Sequence, residues 1–171
     1  MVVSFSCGPD PISTTTYPAG DALIIEEIFE DQAIPDNIYR RTYEVTYHGE
    51  QLDLGDYDNE DPYGIVAAPP KWVAGWLVVF SSSQVFIWQP GQDPIHFNPY
   101  KAQGWNDYAG RSEWRASING SYDYYAQDLT IQDGQWRLEY VPAFDSPTGP
   151  ARIVFVSDDE GQTFSVESSQ G

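Results

Sequence analysis

The run Trp72–Gly91, "WVAGWLVVFSSSQVFIWQPG", decides how the chain is read. Two apolar blocks, Trp76–Phe80 and Val85–Trp88, are joined by Ser81, Ser82 and Ser83. Blocks this short and this continuously apolar fit central strands buried on both faces. Upstream, "RTYEVTYHGEQLDL" (residues 41–54) alternates apolar and polar residues and breaks at His48-Gly49, as a hairpin does. Downstream, "EWRASINGSYDYYAQDLTI" carries the turn pair Asn119-Gly120, and "LTIQDGQWRLEYV" carries Asp133-Gly134. Strands at such short intervals, divided by turn residues, predict an all-β antiparallel sandwich or barrel.

One segment argues for a single short helix in an otherwise β chain. In "DALIIEEIFEDQAI" (residues 21–34), Asp21 can cap a helix on which Leu23, Ile24, Ile28 and Phe29 share a face. Pro35 would end it. A strand through "ALIIEEI" competes, because β-branched Ile is dense there. Before it, residues 8–20, "GPDPISTTTYPAG", are rich in Pro, Gly and Thr. The domain organisation expected is an extended N-terminal arm over residues 1–20 and a single antiparallel β domain over 21–171.

A chain of 171 residues suits one domain with a substantial core. Its 8 Lys and Arg stand against 26 Asp and Glu, a formal charge of −18. Nucleic acid bound through its phosphates needs a basic surface, so that partner is not expected. The charge suits a basic protein partner, bound cations, or solubility. The single cysteine, Cys7, rules out an intrachain disulfide framework and any multi-cysteine metal site. It favours a cytoplasmic setting and leaves lipid-anchored and secreted ones open. For the lipid anchor, "SFSCGPDP" resembles a bacterial lipoprotein cleavage region, with Ser4 and Phe5 in place of the usual aliphatic and small residues. No apolar run approaches the ~20 residues that span a bilayer, so no transmembrane segment is expected.

Near the C-terminus, "RIVFVSDDEGQTFSV" sets a turn between two apolar runs. Ser157, Asp159, Gly161, Thr163 and Phe164 fill the pattern Ser-x-Asp-x-Gly-x-Thr-aromatic. This resembles the Asp-box, a hairpin repeat of sialidase-like β-propellers, over 8 of the 171 residues. Trp is the usual aromatic in that family, so Phe164 is a departure. The resemblance implies a structural corner remote from any active site. Asp159 would accept backbone N–H groups, Gly161 would take a positive φ, and Phe164 would enter the core. A closed propeller needs a blade repeat of about 40–45 residues. No second copy of the box occurs at such a spacing, so a single box in a non-propeller β domain is expected.

The densest acidic stretch is "EQLDLGDYDNEDPYG". Asp53, Asp56, Asp58, Glu60 and Asp61 stand there with no Lys or Arg among them. We expect them to form a docking face for a basic partner. Asp56, Asp58 and Glu60 also alternate as oxygen ligands do at the start of a calcium loop, so Ca2+ is the cation such a row would take. The glycine and glutamate that complete the helix–loop–helix calcium pattern are missing. A second cluster lies in "NPYKAQGWNDYAGRSEWR", where Trp105, Tyr108, Arg111 and Trp114 mix aromatic, amide and charged groups. Such a mixture suits a carbohydrate or an interface hot spot.

No catalytic residue is singled out. His48 sits in a turn and His96 near Pro94, neither within a recognisable triad motif, and phosphate loops and zinc spacings are absent. The expected function is therefore a noncatalytic acidic protein-binding domain, of inhibitor or immunity type. The alternatives are a carbohydrate-binding or surface-associated β module, and a structural subunit of a larger assembly. Oligomeric state is left open.

Overall fold

In the computed structural model, residues 10–30, 38–59, 68–81, 84–104, 124–142 and 152–167 are described. Among them the chain is all-β, with three four-stranded antiparallel sheets, each following the order of the sequence. None closes into a barrel. The chain divides into two compact units, residues 1–64 and 65–171.

The first unit holds β1 (Ser13–Ala19), β2 (Ala22–Glu30), β3 (Tyr39–Tyr47) and β4 (Glu50–Asn59). Gly20, at φ 58, turns β1 into β2. Its mirror-image backbone matches the twist of the two strands. Strand β2 replaces the helix that the spacing of Leu23, Ile24 and Ile28 suggested. Its true period is two: Ala22, Ile24, Glu26 and Ile28 are buried, while their neighbours are half-buried or exposed. A buried carboxylate at Glu26 hides that alternation from the sequence. The carboxylate is accommodated by donors from other strands. Arg41 Nη1 donates to Glu26 Oε1 at 2.8 Å and the Tyr43 hydroxyl to the same oxygen at 2.5 Å. The Tyr17 hydroxyl donates to Oε2 at 2.9 Å. A charge taken out of water is tolerated only when paired and hydrogen-bonded in this way.

The second unit contains two sheets. One comprises β5 (Lys71–Val73), β6 (Trp76–Ser81), β7 (Gln84–Trp88) and β8 (Ile95–Phe97). The other comprises β9 (Tyr124–Gln132), β10 (Gln135–Pro142), β11 (Ile153–Ser157) and β12 (Ser165–Val166). Every residue of β6 and β7 is buried, as their unbroken apolar runs require. Val78, Phe80, Val85 and Ile87 join Leu129, Trp136, Leu138, Tyr140 and Phe155 in one core shared by both sheets. Aromatic rings knit it edge to face, with Trp76 and Trp136 centred 4.8 Å apart and Phe97 and Phe155 at 5.1 Å. Between the sheets runs a segment with a 3-10 turn at Pro99–Lys101. Its Gln103 bridges to Ser165 of β12.

Candidate docking face

Backbone pairing sorts the acidic residues of the first sheet onto its two faces. On β4, Asp53 lies opposite Glu44, Asp56 opposite Thr42 and Asp58 opposite Arg40. Asp53 and Asp56 are three positions apart, so a regular strand would send them to opposite faces. Register shifts between Tyr43 and Glu44, leaving Leu54 as the extra residue of a β-bulge. Gly55 follows at φ 123, a backbone angle that strongly favours glycine. Its N–H donates to Asp53 Oδ1 at 2.8 Å. The bulge thus returns Asp53, Asp56 and Asp58 to one side, and all three are exposed.

Two carboxylates that a window along the sequence misses share this face. Glu44 stands on β3, and Glu27 on β2 opposite Thr42. Five carboxylates therefore occupy the surface with one guanidinium, that of Arg40. Arg40 lies over the Phe29 ring at 5.3 Å. Asp56 and Asp58 form no ion pair among the described residues. The Asp53–Glu44 juxtaposition sets like charges directly across two strands, an arrangement that weakens a sheet. The Gln51 side-chain amide donates to Glu44 Oε2 and relieves part of it.

Of the other residues singled out from sequence, Glu60 and Asp61 lie outside the described residues, as do Trp105, Tyr108, Arg111 and Trp114. Asp56 and Asp58 stand on an extended strand, whereas a calcium loop wraps its ligands round the ion. No group of three or more His, Cys, Asp or Glu is placed to hold a metal among the described residues. Likewise, no helix among them is long and apolar enough to cross a membrane.

The turn after β11 is a closed hydrogen-bonded corner. Ser157 Oγ accepts the Gly161 N–H at 2.9 Å and donates to Asp159 Oδ1 at 2.7 Å. Asp159 also accepts the Thr163 N–H at 2.8 Å and the Thr163 hydroxyl at 2.5 Å. Gly161, at φ 80, presses against the Trp136 ring: a Cβ there would stand 2.6 Å from Cζ3. Any side chain at 161 would displace a fully buried tryptophan. Phe164 is 6% exposed and lies 4.5 Å from the Phe97 ring. Asp159 has its oxygens occupied by its own turn, so its role at this corner is structural.

Comparison of the chain with protein-family models, with curated proteins and with solved structures gave no match.

Proposed function

We propose that the chain is a noncatalytic acidic protein-binding domain, of inhibitor or immunity type, whose first sheet engages a basic partner. The observation that carries this reading is the set of exposed Asp53, Asp56 and Asp58 and half-buried Glu27 and Glu44 on one face, with Arg40 its one counter-charge. Carboxylates held this close repel one another, and a basic surface laid over them relieves that repulsion. The formal charge of −18 adds a long-range field that speeds encounter with a cationic protein.

The test is capture of binding proteins from the source lysate at low ionic strength. Wild-type protein is compared with a variant carrying Glu44→Gln, Asp53→Asn, Asp56→Asn and Asp58→Asn. A basic protein retained by wild type, released by salt and lost with the variant supports the proposal. Equal capture by the variant, or capture indifferent to salt, rejects it. A calcium titration run in parallel separates a cation site from a protein face. A saturable rise in Tm with calcium that vanishes in the variant would assign the row to the ion.

A further inference from the structure

The second unit carries a pocket of about 310 Å³, between the segment that follows β8 and the turn that follows β11. Phe97 and Phe164 contribute its aromatic wall, and Asn98, Lys101, Gln103 and Gln162 its polar groups. Lys101 sets it apart. Five of the six basic residues among the described residues are already engaged. Arg41, Lys71, Arg137 and Arg152 each pair with a carboxylate, and Arg40 covers an aromatic ring. Lys101 has neither kind of partner among the described residues. Among the described residues, the Lys or Arg with neither a carboxylate nor a ring partner stands at the edge of a cavity.

Both rims of the pocket are fixed. The Lys101 N–H donates to the Asn98 carbonyl at 3.0 Å and the Ala102 N–H to that of Pro99 at 3.2 Å. Gln103 ties this rim to the opposite one, donating to the Phe164 carbonyl at 2.8 Å and accepting the Val166 N–H at 3.1 Å. Asp159 holds Thr163, which also lines the pocket. His96, on a third side, is bonded to the Gln84 side chain at 2.9 Å and stacked on Phe86 at 4.4 Å. A site whose walls are held by such contacts loses little freedom when a ligand enters.

We propose that this pocket binds a small organic monocarboxylate that also bears hydroxyl or amide groups. One ammonium without a carboxylate partner among the described residues matches one anionic group, and the chain's large negative charge disfavours a more highly charged ligand. The side-chain amides of Gln103 and Gln162 offer both donors and acceptors, which suits hydroxyls and amides rather than hydrocarbon. Phe97 and Phe164 can cover a carbon skeleton. The volume lies at the lower end of ligand pockets and suits a molecule rather than a chain segment. This site shares no residue with the docking face of the first unit.

The experiment is an amide-resolved NMR titration of the full chain with two acids, gluconate and N-acetylglycine. Their neutral counterparts, sorbitol and N-acetylglycinamide, serve as controls, each added to about 20 mM. At least one acid is expected to give saturable shifts in residues 96–103 and 161–164, with its neutral counterpart giving none. Lys101→Ala, at an exposed position, should keep the wild-type spectrum elsewhere and weaken binding about tenfold or more. Lys101→Arg should retain it within a few-fold. No saturable shift from either acid at these residues overturns the proposal, as does equal response to acid and neutral compound. Undiminished binding by Lys101→Ala overturns it too.

Discussion

Asp159 is exposed, yet its acidity is set by its turn. The Thr163 hydroxyl, then the Thr163 N–H, then the Ser157 hydroxyl donate to its carboxylate and hold its pKa at about 2, against an ordinary 3.8. A carboxyl depressed in the folded state stabilises the fold above its ordinary value, and that contribution disappears as pH falls through about 2. The corner should therefore stay closed through mildly acidic pH. A carbon-detected NMR titration should place the Asp159 midpoint near 2, and Thr163→Val should raise it towards 3.8. A midpoint unmoved by that substitution would remove the hydroxyl from the explanation. Tyr17 shows the opposite sign in the first unit. Burial, then the Glu26 charge and its hydrogen bond, push the phenol up to about 12. Its contribution is complete below the ordinary value of 10 and is lost as pH rises through 12. Tyrosinate absorbance followed alongside circular dichroism should show the first sheet losing structure in that alkaline window. Tyr17→Phe should remove the coupling between the two signals.

Among the elements, three two-residue hairpins turn on pairs with both φ angles positive, His48-Gly49, Ala74-Gly75 and Asp133-Gly134, and the longer turn from β11 to β12 holds a fourth such pair, Glu160-Gly161. Such turns match the twist of antiparallel strands. The first and third pairs were legible in the sequence, and the structure contains both hairpins. The second was not, because alanine is a poor marker of a left-handed position. Ala74 is exposed at φ 50, so its side chain is strained without any packing to compensate. Ala74→Asn should stabilise the protein by about 0.5–1 kcal/mol in denaturant unfolding. A loss of stability would show that Ala74 makes a contact that matters more than its backbone angle. The ambiguity of β2, open in the sequence between a helix and the strand it forms, has a different cause. Local pattern assumes that buried means apolar, but Glu26 is buried because Arg41, Tyr43 and Tyr17 reach it from neighbouring strands. No window along one strand contains that information.

For the whole molecule, charge acts in two opposed ways. A formal charge of −18 repels itself within the folded chain. Screening lengths shrink to about 8 Å at physiological ionic strength, which weakens that repulsion. Tm should accordingly rise as NaCl is added from low salt to about 0.15 M. A falling Tm would mean that the four ion pairs among the described residues outweigh the repulsion. Salt should meanwhile weaken association with a basic partner, so stability and binding respond with opposite sign. The acidic strand was visible in the sequence as a local excess of Asp. Glu27 and Glu44 were not, since only the pairing of β2, β3 and β4 makes them neighbours of Asp53 and Asp56.

The bulge at Leu54-Gly55 makes the charge density of a surface depend on one backbone angle. Were Gly55 forced out of its φ of 123, β4 would revert to simple alternation, and Asp56 would fall opposite Arg41 instead of Thr42. Two carboxylates would turn inward with no change in composition, length or formal charge. A bulky residue such as Val at 55 should therefore remove Asp56 and Asp58 from the acidic face, as mutating those two acids would. Deleting Leu54 from that variant should restore it, because the strand then reaches Asp56 in phase without the extra residue. Recovery of partner capture in the shortened chain would show that phase along the strand, more than the number of acids, is what a partner recognises.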